Sequence, residues 1–498
     1  MSTMEGFRNP VIPGFHPDPS VCRVGDDYFL VTSTFTWFPG VPIFHSRDLV
    51  DWNQIGNVLD RPSQLDLSAT DGWASLGVYA PTIRHHDGRF FMITTNVTHA
   101  GARNFFVTAE DPAGPWSEPT FVDVAGIDPD LAWDVDGSCW VHFSRFLDVA
   151  RCRIDESTGA VLDGPDATWS GTGLLAPEAP HLFERNGVWY LLIAEGGTHR
   201  GHGVSVARGP SPIGPWDGCP ANPILSHRST NRPIQNTGHA DLVEATDGSW
   251  WMVLLGVRPK GFGDGFHVLG RETFLVPTEW VDGWPVAGEL ALEMDRRPPG
   301  AGPTAAVARR DDFDGQVLHP QWIGIRRAPS TVASFEARRG WLTLRGADAS
   351  LDGDEPVFVG RRQQHPHCRV RALVDPAMST EAGLAVVMDD QFHYEVAVRG
   401  DAIDVRVRIA SLDTVVASAS RARGPVVLWI ETRPHPHGPD VVVLGFEGED
   451  GAFRELAEVD GRYLSTEVVG GFTGRVVGMY AVGGDAAVDW FEYQELVP

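Results

Sequence analysis

A phrase that recurs five times in the first half of the chain constrains the fold most. Each copy has a short turn, an apolar anchor, a hairpin signal and then aromatic residues. The apolar anchors are about 48 to 62 residues apart, which suits a four-stranded propeller blade with its loops. The copies are HPDPSVCRVGDDYF, YAPTIRHHDGRFF, IDPDLAWDVDGSCW, EAPHLFERNGVWY and GHADLVEATDGSWW, with anchors Val21, Ile83, Leu131, Leu182 and Leu242. The repeat therefore predicts a five-bladed β-propeller.

The remaining residues predict a second domain, because a chain of 498 residues exceeds the size of one hydrophobic core. The repeats end near Pro298, and the Pro-, Gly- and Ala-rich stretch 296–310 is interpreted as a linker. From Asp311 onward apolar and polar residues alternate with period two, and the helix period is absent. We predict an all-β protein with a propeller over 1–300 and a β-sandwich over 311–498.

Composition excludes several classes of partner. Asp and Glu outnumber Lys and Arg by 66 to 40, for a net charge of −26, so nucleic acid and anionic membranes are poor partners. The N-terminal stretch has no leader-like apolar segment, and no apolar run is long enough to span a bilayer. The five scattered cysteines form no C-x-x-C motif, which suits a reducing compartment. We expect a soluble, cytoplasmic protein.

The repeat also places acidic side chains at one point. In a propeller the innermost strands line a central channel, so equivalent repeat positions face one another. Asp18, Asp128 and His239 occupy the same repeat position, and Glu178 lies one residue earlier in its copy. Like charges that cluster are costly, which indicates proton chemistry or a metal site.

Such carboxylates can hydrolyse a glycosidic bond, with one as general acid and one as general base. Crowding by Asp128 is expected to raise the pKa of Glu178 and keep this acid protonated, whereas Asp18 stays ionised as the base. The aromatic segment TSTFTWFPG offers Phe35 and Trp37 as surfaces for the C–H faces of a sugar. A turn role for each Asp and a core role for each aromatic residue are the competing interpretations.

These motifs resemble glycoside hydrolase family 43, specifically its two-domain β-xylosidases and α-L-arabinofuranosidases. The matching strings are NPVIPGFHPDPS, TSTFTWFPGVPIFHSRDLVDW, PEAPHL with AEGGT, LGRET, GGFTGRVVGMY and DWFEYQEL. The resemblance implies an inverting exo-glycosidase that releases terminal β-1,4-linked D-xylose, α-L-arabinofuranose or both from short oligosaccharides. It also implies a concanavalin-like jelly-roll sandwich that closes the pocket, no cofactor for the chemistry, and leaves a homo-oligomer open.

The resemblance assigns roles residue by residue. Asp18 matches the general base, Asp128 the residue that modulates the pKa of the acid, and Glu178 the general acid. The substrate-binding candidates are Phe35, Trp37, Tyr79, Ile127, Thr198, His239, Arg271 and Phe472. Phe472 matches a residue that the sandwich inserts into the pocket. His239 is also a candidate ligand for a structural calcium ion in the channel, or only a hydrogen-bonding residue there.

Two positions depart from the xylosidase pattern. Tyr79 stands where Trp is common, and Ile127 precedes Asp128 where Phe is common. Both should line the subsite for the terminal sugar, so the choice between xylose and arabinose stays open. Three further hypotheses compete with a pentosidase: an arabinan- or galactan-directed exo-enzyme, a catalytically inactive sugar-binding propeller, and a propeller scaffold for protein partners.

Overall fold

The first half of the chain forms five antiparallel sheets around one axis. We describe them from a computed structural model, which describes residues 6–70, 72, 74–300, 308–376 and 378–497. Four sheets have four strands and one has five, and the innermost strands contact one another around the ring, including the last against the first. The predicted five-bladed propeller is confirmed.

The strands of each blade follow one another in the chain. Blade one comprises Ser20–Val24, Asp27–Val31, Gly40–Ser46 and Asn53–Leu59; blade two Gly77–Val78, Thr82–His86, Arg89–Thr98, Gly101–Ala109 and Thr120–Val122; blade three Ile127–Trp133, Cys139–Ser144, Val149–Ile154 and Val161–Trp169; blade four Glu178–Arg185, Val188–Glu195, Gly203–Gly209 and Asp217–Gly218; blade five Gln235–Glu244, Trp250–Val257, Glu272–Val281 and Trp284–Ala287. Phe7–Arg8 pairs with Glu293–Met294 beside the ring.

The predicted hairpins join the first two long strands of each blade. At Asp87-Gly88 and Asn186-Gly187 both residues have positive φ, between 45° and 77°. This is the type I′ geometry whose twist matches that of antiparallel strands, and Asn or Asp followed by Gly adopts it at low cost. The repeat therefore sets the hairpin positions, and through them which residues begin each innermost strand.

The second half forms a β-sandwich, as predicted. Its six-stranded sheet comprises, in spatial order, Val357–Arg362, Val476–Val482, Glu381–Asp389, Phe392–Arg399, Ala402–Ile409 and Leu412–Ser420. The eight-stranded sheet comprises Arg310–Asp311, Ala333–Ser334, Leu342–Leu344, Cys368–Asp375, Val426–Arg433, Val441–Glu447, Phe453–Asp460 and Ala486–Glu495. Three short helical turns complete it: Pro329–Val332, Gly461–Leu464 and Thr466–Val469.

The two halves share an apolar interface. Trp37–Phe38 of the propeller pairs with Gly324–Ile325, and one buried cluster joins Phe15 and Phe35 to Phe358. Residues 301–307 of the predicted linker lie outside the described residues. Within the described ranges, no helix is long and apolar enough to cross a membrane. All five cysteines are free thiols.

Candidate active site

The innermost strands of three blades carry, near their start, a non-glycine residue in the left-handed region of backbone conformation. Asp128, Ala179 and His239 have φ values of 55°, 55° and 47°, and Asp18, just before the innermost strand of blade one, has 57°. All four occupy the same repeat position. In blades three to five the strand pairing shifts by a bulge at this point, and such strained residues concentrate at functional sites.

The bulges bring the three predicted catalytic carboxylates into one cavity of about 310 Å³. Its lining comprises Asp18, Phe35, Tyr79, Ala80, Val97, Ala102, Gly126, Ile127, Asp128, Phe146, Glu178, Thr198, His239, Arg271 and Phe472. All but one of the residues predicted from the sequence therefore meet here.

The exception is Trp37, which the structure places outside the lining of this cavity. Its side chain is 1% exposed and packs in the interface cluster, with its ring centroid 6.0 Å from that of Phe358. The backbone of Trp37 pairs with Ile325 of the second half. The structure therefore does not bring Trp37 to the cavity with the other predicted residues, because docking of the sandwich buries its side chain.

Asp18 lies in an environment that favours its ionised form. Arg271 Nη1 is 2.9 Å from Asp18 Oδ1, and Ser33 Oγ donates to Asp18 Oδ2 at 2.5 Å. Burial alone would raise the pKa of Asp18, but Arg271, His239 and the Ser33 hydroxyl together lower it below its usual value. An ionised, buried carboxylate of this kind can accept a proton from water.

Asp128 lies in the opposite environment. Burial raises the pKa of Asp128 well above its usual value, and the nearby carboxyl groups of Glu178 and Asp18 raise it further. The sequence predicted that crowding would raise the pKa of Glu178. The structure shows a raised pKa at Asp128, so this buried carboxyl group binds a proton more readily than an isolated one.

A histidine that the sequence did not indicate faces Glu178. His202 Nε2 lies 3.6 Å from Glu178 Oε1, and His202 Nδ1 lies 3.1 Å from the carbonyl oxygen of Asn236. The carbonyl of Asn236 therefore holds the His202 ring with Nε2 directed at the Glu178 carboxyl group.

Three aromatic rings form one wall of the cavity. The centroids of Phe35, Tyr79 and Phe472 are 5.5 to 5.9 Å apart, and the Arg271 guanidinium carbon lies 5.2 Å from the Phe472 ring centroid. The backbone N–H of Phe472 donates to Ser75 Oγ at 2.8 Å. The sandwich therefore contributes an anchored aromatic residue to a pocket that the propeller builds.

Arg271 joins this wall to the acidic side. Besides its contacts with Asp18, its Nη1 donates to Thr198 Oγ1 at 3.1 Å. Phe146 also lines the cavity and is 55% exposed. Sequence reasoning missed it, because a lone Phe in a loop has no repeat partner. The pocket thus combines an aromatic wall with a few charged and polar groups, as ligand pockets commonly do.

The layer of the channel beneath the carboxylates is held by Arg84. Its guanidinium donates to Asp130 Oδ2 and Asp241 Oδ2, both at 2.9 Å, and its Nη2 lies 3.1 Å from His181 Nδ1. These residues lie two positions after the catalytic position of their repeats. Arg84 thereby joins blades two, three, four and five with one buried cation, which the sequence did not indicate.

Calcium at His239 stays a prediction, because the side chains near it supply few of the ligands that this ion takes. Calcium takes six to eight oxygen ligands, whereas His239 Nδ1 faces Asp18 at 3.4 Å and the nearby Asp130 and Asp241 are paired with Arg84. Among the residues the structure describes, no three His, Cys, Asp or Glu side chains are grouped to hold a metal. We therefore derive no catalytic step through a metal.

Replacing Arg84 with Met should destabilise the protein by about 3–5 kcal/mol, because it leaves Asp130 and Asp241 buried without their cation. Denaturant unfolding would measure the loss. Arg153→Met, in a half-buried arginine of blade three, is the control and should change stability by less than about 0.5 kcal/mol. Equal effects of the two substitutions would contradict the role of Arg84.

The site lies in the channel of a five-bladed propeller. It combines an ionised carboxylate, a carboxyl group with a raised pKa and an aromatic wall, and these features define a glycosidase-type site. Residues 7–285 match the family described as glycosyl hydrolases family 43, and residues 310–494 match the β-xylosidase C-terminal concanavalin A-like domain. The chain belongs to glycosyl hydrolase family 43, and it is a glycosidase.

Similar proteins match over nearly the whole chain. A non-reducing end α-L-arabinofuranosidase of Bacteroides ovatus is 38% identical, covering 98% of this chain and 94% of that protein. A xylosidase/arabinosidase of Butyrivibrio fibrisolvens is 36% identical, covering 95% of each. Among solved structures, a xylan β-1,4-xylosidase of Bacillus halodurans superposes with a TM-score of 0.91 at 32% identity, covering 98% of this chain and 100% of that one.

Proposed function

We propose that this enzyme releases single pentose units, β-1,4-linked D-xylose, α-L-arabinofuranose or both, from the ends of short xylo- and arabinoxylo-oligosaccharides, with inversion at the anomeric carbon. The observation that carries the proposal is the meeting of Asp18, Asp128 and Glu178 in one cavity that Phe472 of the sandwich helps to line. Relatives of matching length named for these two activities support the choice of sugars.

In the proposed mechanism Asp18 acts as general base. Its ionised carboxylate, held by Arg271 and Ser33, takes a proton from a water molecule as that water attacks the anomeric carbon. Glu178 gives a proton to the departing glycosidic oxygen, which leaves as an alcohol. Asp128 keeps a proton available to the pair of carboxyl groups that it forms with Glu178. Because Asp128 is buried, this proton is held away from bulk water.

Exo action follows from the shape of the pocket. A cavity of about 310 Å³ holds one sugar ring and a small part of a second, and the Phe35–Tyr79–Phe472 wall closes one side. An enzyme that cuts within a chain needs a groove open at both ends. The pocket therefore favours a terminal sugar with the rest of the substrate leaving past the exposed Phe146.

A panel of nitrophenyl glycosides tests the proposed substrate. We expect release of nitrophenol from the β-D-xyloside, the α-L-arabinofuranoside or both, at rates at least a hundredfold above those from the β-galactoside. Because Tyr79 and Ile127 line the cavity, Tyr79→Trp and Ile127→Phe in the same panel reveal whether these positions set the ratio of the two pentosides. No release from either pentoside would contradict the proposal.

Replacing Asp128 with Asn should lower activity while raising stability near neutral pH. A buried Asp whose pKa is raised in the folded state makes the wild type lose stability as the pH rises above the usual value of 3.8. Asn carries no such charge, so the gain in Tm should be absent near pH 4 and grow towards pH 7. Thermal unfolding against pH checks this, and a Tm difference that is constant over pH would contradict it.

The same substitution should change the pH profile of kcat/KM. Without the Asp128 carboxyl group, the limb of the profile that reports the proton of this pair should shift, because Glu178 then holds its proton without a neighbouring carboxyl group. A profile identical to that of the wild type would contradict the role of Asp128 in protonation.

A further inference from the structure

A second cavity of about 110 Å³ lies between the propeller and the sandwich and shares no lining residue with the active-site pocket. The propeller contributes His16, Trp52 and Gln54, and the second half contributes Arg361, Arg362 and Gln364. Trp52, Gln54 and Gln364 are half-buried, so the cavity reaches the surface between them. The two arginines lie deeper.

These two arginines are buried without a carboxylate partner. Arg361 and Arg362 are 7% and 5% exposed, and within the described residues neither guanidinium forms an ion pair. Arg362 Nε and Nη2 are buried and make no hydrogen bond there; its guanidinium carbon lies 4.6 Å from the Phe15 ring centroid. Arg361 donates to the neutral Gln364 Oε1, at 2.6 Å.

Other buried arginines of the chain are paired. Arg475 meets Asp440 at 2.5 Å, and Arg271 and Arg326 each meet at least one carboxylate. A guanidinium remains charged in proteins, and a buried charge without a partner is strongly unfavourable. Burial lowers the pKa of Arg362 to about 9, because no carboxylate in the described part of the chain lies beside the guanidinium to stabilise its charge.

We propose that this cavity binds a small inorganic oxyanion, phosphate or sulfate, through the guanidinium groups of Arg361 and Arg362 that line it. Such an ion supplies the missing negative charge and several acceptor oxygens at once. His16, Gln54 and Gln364 offer further polar groups around it. The cavity has about one third of the volume of the sugar pocket, so the site selects a small ion.

The bound anion would link the propeller to the sandwich. Arg361 and Arg362 end the strand Val357–Arg362 of the sandwich, whereas His16 lies two residues before Asp18 on the propeller. The N–H of His16 donates to the carbonyl of Arg271 at 3.1 Å, and the His16 carbonyl accepts from Thr273 Oγ1 at 2.6 Å. Filling the cavity therefore secures the sandwich against the segment that carries the base.

Thermal unfolding in anion-controlled buffer tests the proposal. The full-length enzyme is freed of phosphate and sulfate and then titrated with low-millimolar sodium phosphate, sodium sulfate or sodium acetate, with sodium chloride holding the ionic strength constant. We expect a saturable rise in Tm of several degrees with phosphate, sulfate or both, and isothermal titration calorimetry with a stoichiometry of one. The ion that raises Tm at the lower concentration, phosphate or sulfate, is then the preferred ligand of the site.

Arg362→Met is the test variant and Arg423→Met, in an exposed arginine, is the control. Arg362→Met should abolish the saturable rise and be at least as stable as the wild type without oxyanion, because it removes an unpaired buried charge. Arg423→Met should keep the full rise. If Arg362→Met does not fold, Arg361→Gln replaces it with the same expectation.

A Tm that rises equally with all three salts, or a rise that survives loss of Arg362, would overturn the site. So would the absence of any saturable binding to the wild type. Each readout is independent of hydrolysis, so these outcomes are distinct from a failure of the proposed enzymatic activity.

Discussion

Replacing Asp18 with Asn is expected to lower kcat/KM by about 10²- to 10⁴-fold on every substrate, whatever its leaving group. The amide cannot take a proton from the attacking water, and every substrate needs that step. Asn keeps the size of the side chain and can still meet Ser33 and Arg271, which hold Asp18. Steady-state kinetics on xylobiose and on aryl pentosides would measure the loss.

Asp87→Asn is the matched control for this substitution. Asp87 lies in the exposed hairpin of blade two with its side chain 92% exposed, and an Asn-Gly turn is as favourable there as Asp-Gly. Its activity should stay within about twofold of the wild type, since surface changes of this kind are nearly neutral. An Asp18→Asn enzyme that retains more than a tenth of the activity would remove Asp18 from the role of base.

Replacing Glu178 with Gln should separate substrates by leaving group. Cleavage of xylobiose, whose leaving oxygen must be protonated, is expected to fall by about 10²- to 10⁴-fold. Cleavage of an aryl glycoside with a strongly acidic phenol should fall by less than about tenfold, because such a phenolate leaves without help. The ratio of the two losses, measured on one enzyme preparation, reports the acid role directly.

Glu184→Gln provides the comparison on the same strand. Glu184 is exposed near the hairpin end of Glu178–Arg185 and should show no leaving-group dependence. His202→Gln belongs in the same series, since His202 faces Glu178 and its loss should affect xylobiose more than the activated aryl glycoside. Equal losses on both substrates for Glu178→Gln would contradict its assignment as the proton donor.

Most of what could be predicted about the fold and the site came from the five-fold repeat. Apolar anchors at a fixed repeat position place five innermost strands, and any side chain at an equivalent position then faces the channel. This reasoning brought Asp18, Asp128 and His239 together, and the structure confirms that they line one cavity. In the copy that contains Glu178, the left-handed position is taken by Ala179, and Glu178, one residue earlier, lines the same cavity.

Contacts that depend on how elements dock could not be predicted in the same way. Trp37 was expected to touch sugar, but pairing with the sandwich buries it. His202 has no counterpart in the other repeats, and its approach to Glu178 depends on the carbonyl of Asn236. Arg84 lies within a repeat, but its contacts with Asp130 and Asp241 depend on how the five blades close into a ring.

Electrostatic preferences also required the structure. The sequence shows that carboxyl groups converge but does not give the burial of each one, and burial is the largest cause of the raised pKa of Asp128. Arg271 lies beside Asp18 and helps to lower its pKa, whereas burial and then the carboxyl groups of Glu178 and Asp18 raise the pKa of Asp128. The proposed roles of Asp18 as base and Asp128 as modulator rest on this difference.

The stereochemistry of the first product tests the central claim most directly. Proton NMR during hydrolysis of xylobiose, and of an arabinosylated xylo-oligosaccharide, detects the anomer that appears before mutarotation. With Asp18 activating water opposite the proton donor Glu178, we expect α-xylose first from the β-linked disaccharide. Release of β-xylose first would mean retention through a covalent intermediate and would contradict the assignment of Asp18 as a general base.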